Sequence, residues 1–352
     1  MSLEGLLALG FEPAGVEPTV VEAGRSDDRY VLAVERPGMG TRIALSLRSD
    51  SPDRADAAAR EAFARLDRLT ALLSRYDSGS PLTLLNEKGA LSGAPPELTA
   101  VVDLALVIGR ATNGAFDPTV LPLVNLYGGE EPRVPPGRLA LATDRGTKRD
   151  RSSMPDPDAL AAARELVGSA HVRRRGRRIE FDRLGMGLTL DGVAKGWIVD
   201  AMAAGLRDKG IRDFLVDAGG DIRAEGRPEP GRPWTVAIQD PDLADDWPDV
   251  IGLQTGAVAT SGSYEFYFDP GRTRHHIVAG ADGISPIDLV SVTVTAPDAA
   301  TADALATAAF VLGPDTGLDC IESITGCECL LVAPDGTRHE TSGWAALSLQ
   351  GR

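Results

Sequence analysis

The sequence predicts an α+β fold in which helices pack on mixed or antiparallel sheets, and three observations predict it. Apolar residues at three- and four-residue spacing dominate the first half of the 352-residue chain, and short alternating runs dominate the second. Strands and helices do not alternate strictly, so a parallel βαβ sheet is not expected. Composition fits a folded chain: 43% hydrophobic and 25% charged residues are near the globular average, and 39 Gly and 24 Pro mark many turns.

The elements follow in order. Residues 29–35 and 41–48 alternate around Pro37-Gly38-Met39-Gly40, which reads as a hairpin. Phe63, Leu66, Leu69, Leu72 and Leu73 mark a helix from Asp53, its expected N-cap, to about Ser74. Tyr76-Asp77-Ser78-Gly79-Ser80 is a polar turn, and a second helix follows Pro95-Pro96 through Val107-Ile108 with Gly114 as its expected C-cap. Residues 128–157, dense in Gly, Pro and charge, read as an exposed excursion. The basic run Arg173–Arg178 reads as a small hairpin with solvated arginines rather than a phosphate patch. A helix from Gly192 to about Lys209 leads to a strand at Phe214-Leu215-Val216 and a Gly219-Gly220 turn. Short strands are expected at 233–239, 251–259, 264–268, 274–279 and 290–296, then a helix at 299–312.

Charge narrows the function. With 36 Lys+Arg against 51 Asp+Glu, the net charge of -15 repels phosphate backbones and anionic membranes, so no nucleic-acid partner is expected. An anionic ligand needs a local cation, backbone N–H groups or a metal. Three cysteines, 320, 327 and 329, lack the spacing of a zinc site and read as structural thiols. No apolar run approaches the ~18 residues of a membrane span. The first residues carry no leader pattern, which predicts a cytoplasmic location; a native leader or anchor lost ahead of them would make the protein exported or lipid-anchored.

Several short constellations can carry chemistry. Asp303 and Thr307 lie four apart on the predicted helix, so a carboxylate and a hydroxyl project from one face, a set suited to a hard cation such as Mg²⁺ and equally to a solvated face. Thr260-Ser261-Gly262 follows an apolar strand, where hydroxyls and a Gly admit a ligand close to the backbone. Of His275 and His276, strand alternation lets only one point inward. Lys195 sits near a helix start, where it and backbone N–H groups can hold a phosphate, although the P-loop pattern is absent. No G-x-S-x-G, H-E-x-x-H or strand-linked G-x-G-x-x-G occurs.

Taken together and in order, eight blocks resemble the ApbE-type flavin transferases. They are Met39-Gly40-Thr41; Leu73-Ser74-Arg75-Tyr76-Asp77 with Leu85-Asn86; Gly114-Ala115-Phe116-Asp117-Pro118-Thr119; Gly192-Val193-Ala194-Lys195-Gly196 with Asp200; Gly219-Gly220-Asp221-Ile222; Ala259-Thr260-Ser261-Gly262; His275-His276-Ile277; and Asp303-Ala304-Leu305-Ala306-Thr307. The resemblance divides the chain into a segment 1–28, an ApbE-like, T-fold-related domain over 29–335, and a C-terminal strand or tail 336–352. It implies an enzyme that binds FAD with Mg²⁺, transfers FMN to a Thr hydroxyl of an acceptor flavoprotein and releases AMP.

By the same resemblance, Asp303, Thr307 and the Gly192 carbonyl are the metal ligands. Met39, Tyr76, Ala115, Phe116, Asp117, Thr189, Lys195, Thr260, Ser261, Gly262 and Ile277 fall on flavin-dinucleotide positions, with Tyr76 and Phe116 as stacking rings. Asp303, Lys195 and His276 are the catalytic candidates. Two positions depart from the family pattern: Thr189 stands where an Asp is usual, and Ala279-Gly280-Ala281-Asp282-Gly283 replaces Asp-Pro-x-Thr-Gly. An FAD pyrophosphatase and a non-catalytic FAD-binding paralogue are the alternative readings.

Overall fold

The computed structural model describes residues 17–26, 28–129, 155–238, 249–269 and 271–349. In chain order these form β1 (Thr19–Ser26), β2 (Arg29–Gly38), β3 (Thr41–Ser49), α1 (Pro52–Leu73), α2 (Pro81–Lys88), β4 (Ala90–Ser92), α3 (Pro96–Ala111) and α4 (Leu121–Val124). There follow α5 (Pro157–Arg164), β5 (Val172–Arg175), β6 (Arg178–Phe181), α6 (Ala194–Asp208), β7 (Asp213–Ala218), β8 (Asp221–Glu225), β9 (Trp234–Ile238) and β10 (Asp249–Leu253). The chain continues with β11 (Gly256–Gly262), β12 (Ser291–Ala296), α7 (Ala299–Leu312), α8 (Pro314–Glu322), β13 (Glu328–Val332), β14 (Arg338–Glu340) and α9 (Trp344–Leu347). Most of the expected 128–157 excursion lies outside the described residues.

The chain forms two compact units: one comprises Ala71–Leu190 and Ser263–Ile287, and the other the remaining described residues. The second unit is built on a nine-stranded sheet ordered β1-β2-β3-β7-β8-β11-β12-β13-β14, every neighbouring pair antiparallel. Spatial order follows chain order, so the sheet is a meander. The β2–β3 turn gives Met39 and Gly40 positive φ values of 51° and 74°, as a two-residue hairpin turn demands. Gly meets that demand without strain; Met39 does not.

One sheet face is covered by α6 and α7, which bury Ile198, Val199, Met202 and Phe310. The ten buried residues of α7 surround its axis, and most are Ala, so neighbours approach closely. The other face is covered by the β9–β10 hairpin and α9: Trp234, Val236, Ile251 and Trp344 pack on Ile222, Val258 and Leu330. The Trp344 indole N–H donates to Asp249 at 2.8 Å, satisfying both buried groups.

The first unit has α2, α3, α5 and the small sheet β4-β6-β5. Its β5–β6 hairpin holds the basic run, where Arg178 pairs with Glu180 of the same hairpin at 2.9 Å and Arg174 pairs with Asp103 of α3.

Several expectations need correction. The cap of α1 is Ser51, whose hydroxyl accepts from the Arg54 N–H at 3.2 Å, and Asp53 lies in the first turn. Helix α2 was missed; Ser80 caps it and Pro81 opens it. At the end of α3, Asn113 takes the left-handed position with φ 52°, and Gly114 comes one residue later, donating to the Gly109 carbonyl at 2.8 Å. The expected strands 264–268 and 274–279 reduce to one isolated bridge, Tyr267 to His275, because side-chain bonds hold that segment. The run 251–259 splits at Gln254-Thr255 into β10 and β11, and the tail carries α9 after β14. All three cysteines are free thiols, and burial pushes Cys327 up to about 11 and Cys329 up to about 12. No helix among the described residues is long and apolar enough to cross a membrane.

Candidate active site

Strand register gathers the candidates of the sheet unit at one end of the sheet. Gly38 pairs with Thr41 and Ile43 with Ala218, so the Met39-Gly40 turn and the Gly219-Gly220 turn lie side by side. A Cβ at Gly219 would overlap Thr41, and its φ is 64°, so the position requires Gly twice over. Val258 pairs with Ile222, and Thr260, Ser261 and Gly262 therefore run on past Asp221 to the same end.

Lys195, in the first turn of α6, places Nζ 3.6 Å from Asp221 Oδ2, whose side chain is buried. The two opposite charges form an ion pair at this end of the sheet. Asp221 belonged to a matching sequence block without an assigned role; the Gly-Gly-Asp order, a turn feeding a buried acid, was the available signal.

Asp303 and Thr307 face this end from α7. Asp303 is 5% exposed, and its Oδ2 accepts from the Gly196 N–H at 3.0 Å. Thr307 Oγ1 lies 3.1 Å from Ser261 Oγ, and Thr260 Oγ1 lies 2.9 Å from Thr293 Oγ1. One carboxylate and neighbouring hydroxyls make an all-oxygen donor set, which fits a hard divalent cation that keeps several waters and suits neither zinc nor copper. No group of three or more His, Cys, Asp or Glu that could hold a metal ion occurs among the described residues.

The first unit holds the other candidates. Tyr76 is 45% exposed and lies under the Arg75 guanidinium, 4.2 Å from the ring centre. Phe116 is 4% exposed, so its ring is part of the core and offers no open face for the expected stacking, while its N–H donates to Thr112. The Asp117 carboxylate is occupied by its own fold, accepting from the Thr119 N–H at 2.8 Å, from the Thr119 hydroxyl and from Ser169. Ala115 lies between that turn and the end of α3. The Thr189 N–H donates to Pro118 O at 2.8 Å, and a Cβ at Gly280 would come 3.8 Å from Asp117 Cβ, so both departures from the family pattern border one turn.

Of the two histidines, His275 is the inward one, 1% exposed, with Nε2 2.7 Å from Pro286 O. Burial lowers its pKa to about 4, so the ring is neutral at pH 7. Its N–H donates to Ser285 Oγ at 3.0 Å, and that hydroxyl donates back to the His275 carbonyl at 2.8 Å. His276 turns outward: its N–H bonds Phe266 O at 3.2 Å and its Nε2 lies 3.7 Å from Glu265. Ile277 beside it is buried.

The model of the ApbE family matches residues 39–331, the greater part of the sequence. The chain belongs to the ApbE family. Among relatives of this ApbE protein, the FAD:protein FMN transferase of Klebsiella pneumoniae is 31% identical over 86% of this chain and 84% of its own length. The FAD:protein FMN transferase of Haemophilus influenzae is 32% identical over 78% of each. Among solved structures, the ApbE protein of Thermotoga maritima aligns with a TM-score of 0.79 at 26% identity, over 91% of this chain and all of that one. The flavin transferase ApbE of Vibrio cholerae aligns at 0.75 with 28% identity, over 91% and 99%. The α+β architecture is thus the family's own.

Proposed function

We propose that this ApbE-family flavin transferase takes FAD as substrate, uses Mg²⁺, and moves FMN onto a Thr hydroxyl of an acceptor flavoprotein, releasing AMP. The observation that supports this most is the convergence at one sheet end of the buried Asp303 carboxylate, the Ser261 and Thr307 hydroxyls and the Lys195–Asp221 pair. Asp303, Thr307 and the Gly192 carbonyl are the residues that would hold the ion, whose charge offsets what develops on the transferring phosphoryl group.

The chain's own residues supply the rest. Lys195, held by Asp221, binds pyrophosphate oxygens, which a chain of net charge -15 otherwise repels. Thr260, Ser261 and Gly262 let the substrate approach the strand end closely. Tyr76 presents the exposed ring for flavin contact. His276 takes the proton from the attacking hydroxyl, and Glu265 beside it balances the imidazolium. The acceptor Thr Oγ–P bond forms as the P–O bond to AMP breaks.

The test incubates the protein with FAD and Mg²⁺, with and without an acceptor domain, and follows AMP release and covalent flavin fluorescence on a denaturing gel. Acceptor-dependent labelling is expected. AMP without labelling would favour a pyrophosphatase, and bound FAD with neither product a binding paralogue.

A further inference from the structure

Gly196 and Asp200 lie four residues apart, on one face of α6, and that face meets the start of α7. The Asp200 carboxylate accepts from the Ala299 N–H at 3.0 Å and the Ala300 N–H at 2.9 Å. A Cβ on Gly196 would overlap the Ala299 carbonyl, so the two backbones meet at a separation that only Gly permits. The Gly196 N–H bonds Asp303 itself at 3.0 Å. Burial raises the Asp200 pKa, and the two N–H bonds oppose that rise.

A helix start needs one cap, and α7 has its own: Asp298 accepts from the Thr301 N–H at 2.9 Å. Asp200 is a second carboxylate brought from another helix. It adds negative charge at the positive end of the dipole, and it ties α7 to the residue whose neighbour on α6 holds Asp303. Asp303 and Thr307 follow Ala299 by one and two turns, so the orientation of α7 about its axis decides where their oxygens point.

We propose that Asp200 is a positioning residue for the metal site: it fixes α7 against α6 so that Asp303 and Thr307 present their oxygens in the coordinating direction. This rests on the metal assignment made above. Such supporting contacts are worth about 10- to 100-fold in metal affinity.

The test titrates Mn²⁺ into FAD-loaded protein without acceptor, following free Mn²⁺ by electron paramagnetic resonance, beside thermal melts and the Mg²⁺ dependence of turnover. Asp200→Asn keeps the shape but has one acceptor oxygen for two N–H groups. We expect about 10-fold weaker Mn²⁺ binding, with kcat returning to within about twofold at saturating Mg²⁺. Asp200→Glu keeps the charge and should bind Mn²⁺ between the two. Wild-type Mn²⁺ affinity in Asp200→Asn, whatever its melting temperature, overturns the proposal and leaves Asp200 a structural cap. Should that variant not fold, wild-type affinity in Asp200→Glu overturns it equally. If the unmutated chain binds no Mn²⁺, or Asp303→Ala binds it undiminished, the metal assignment falls and the proposal with it. Binding lost in Asp303→Ala but kept in both Asp200 variants removes the proposal alone.

Discussion

Asp303 and His276 are held by opposite means. Asp303 rides a helix buried on nearly every side, its first turn bound by Asp298 and Asp200. His276 rides an irregular segment held by one bridge, a few backbone bonds such as its own N–H to Phe266 O, and side-chain bonds from Asp269, His275 and Ser285. A helix distributes its hold over many repeated bonds, so its functional group is lost chiefly by removing it. A loop depends on a few side-chain ties, and conditions that disturb those ties reach the functional group as well.

The comparison can be broken most sharply at Asp303. Asp303→Ala should lower flavinylation about 10³-fold with the fold intact by circular dichroism; unchanged turnover would mean that α7 does not carry the metal ligand. The loop side is tested by acid. The folded His275 titrates near 4 and an unfolded one near 6.5, so between these values the unfolded chain binds the extra proton. Stability should therefore fall as pH drops from 6.5 to 4, by up to about 3 kcal/mol. Urea unfolding at pH 7 and pH 4.5 should show a smaller difference in His275→Gln than in the parent; equal differences would show that His275 is not the group responsible.

His276→Gln should cost about 10²-fold in kcat with little change in FAD binding. A loss confined to KM would make His276 a binding group and narrow the contrast with Asp303. The smallest expected effect is at Thr189. Thr189→Asp restores the residue usual in the family and should raise flavinylation by a factor of roughly 3, about 0.7 kcal/mol. No gain would mean that the turn at Pro118 tolerates either residue.

What was legible in the sequence follows the same division. That Asp303 and Thr307 share one face was legible from their spacing because a helix converts separation into direction, and the 299–312 boundaries match those of α7, whereas a metal role for the pair came only from the family resemblance. The β2–β3 hairpin was legible because alternation and turn residues agree. Helix α2 was not, since its eight residues are too few for a period to show, and Ser80-Pro81 was the usable sign. The strands expected around the histidines failed for a different reason. Asp269, Ser285 and His275 bond the backbone of this segment through side chains, and such bonds leave no periodic pattern. The burial of Phe116 and the bond that Asp117 accepts from Ser169, 52 residues on, come from packing between distant segments, which local sequence does not announce.

The meander has a consequence for biosynthesis. Strand β3 waits for β7 while residues 50–212 are made, and β11 waits for β12 across residues 263–290. A nascent chain leaving the ribosome exposes β3 as a long, half-apolar edge throughout the first wait, the kind of edge that recruits other chains. Arg42 and Arg48 punctuate that strand, and charge on an edge is a standard deterrent to such pairing. The risk of misassembly is therefore concentrated before residue 218 is synthesised, and expression at lower temperature or slower initiation should matter most in that interval.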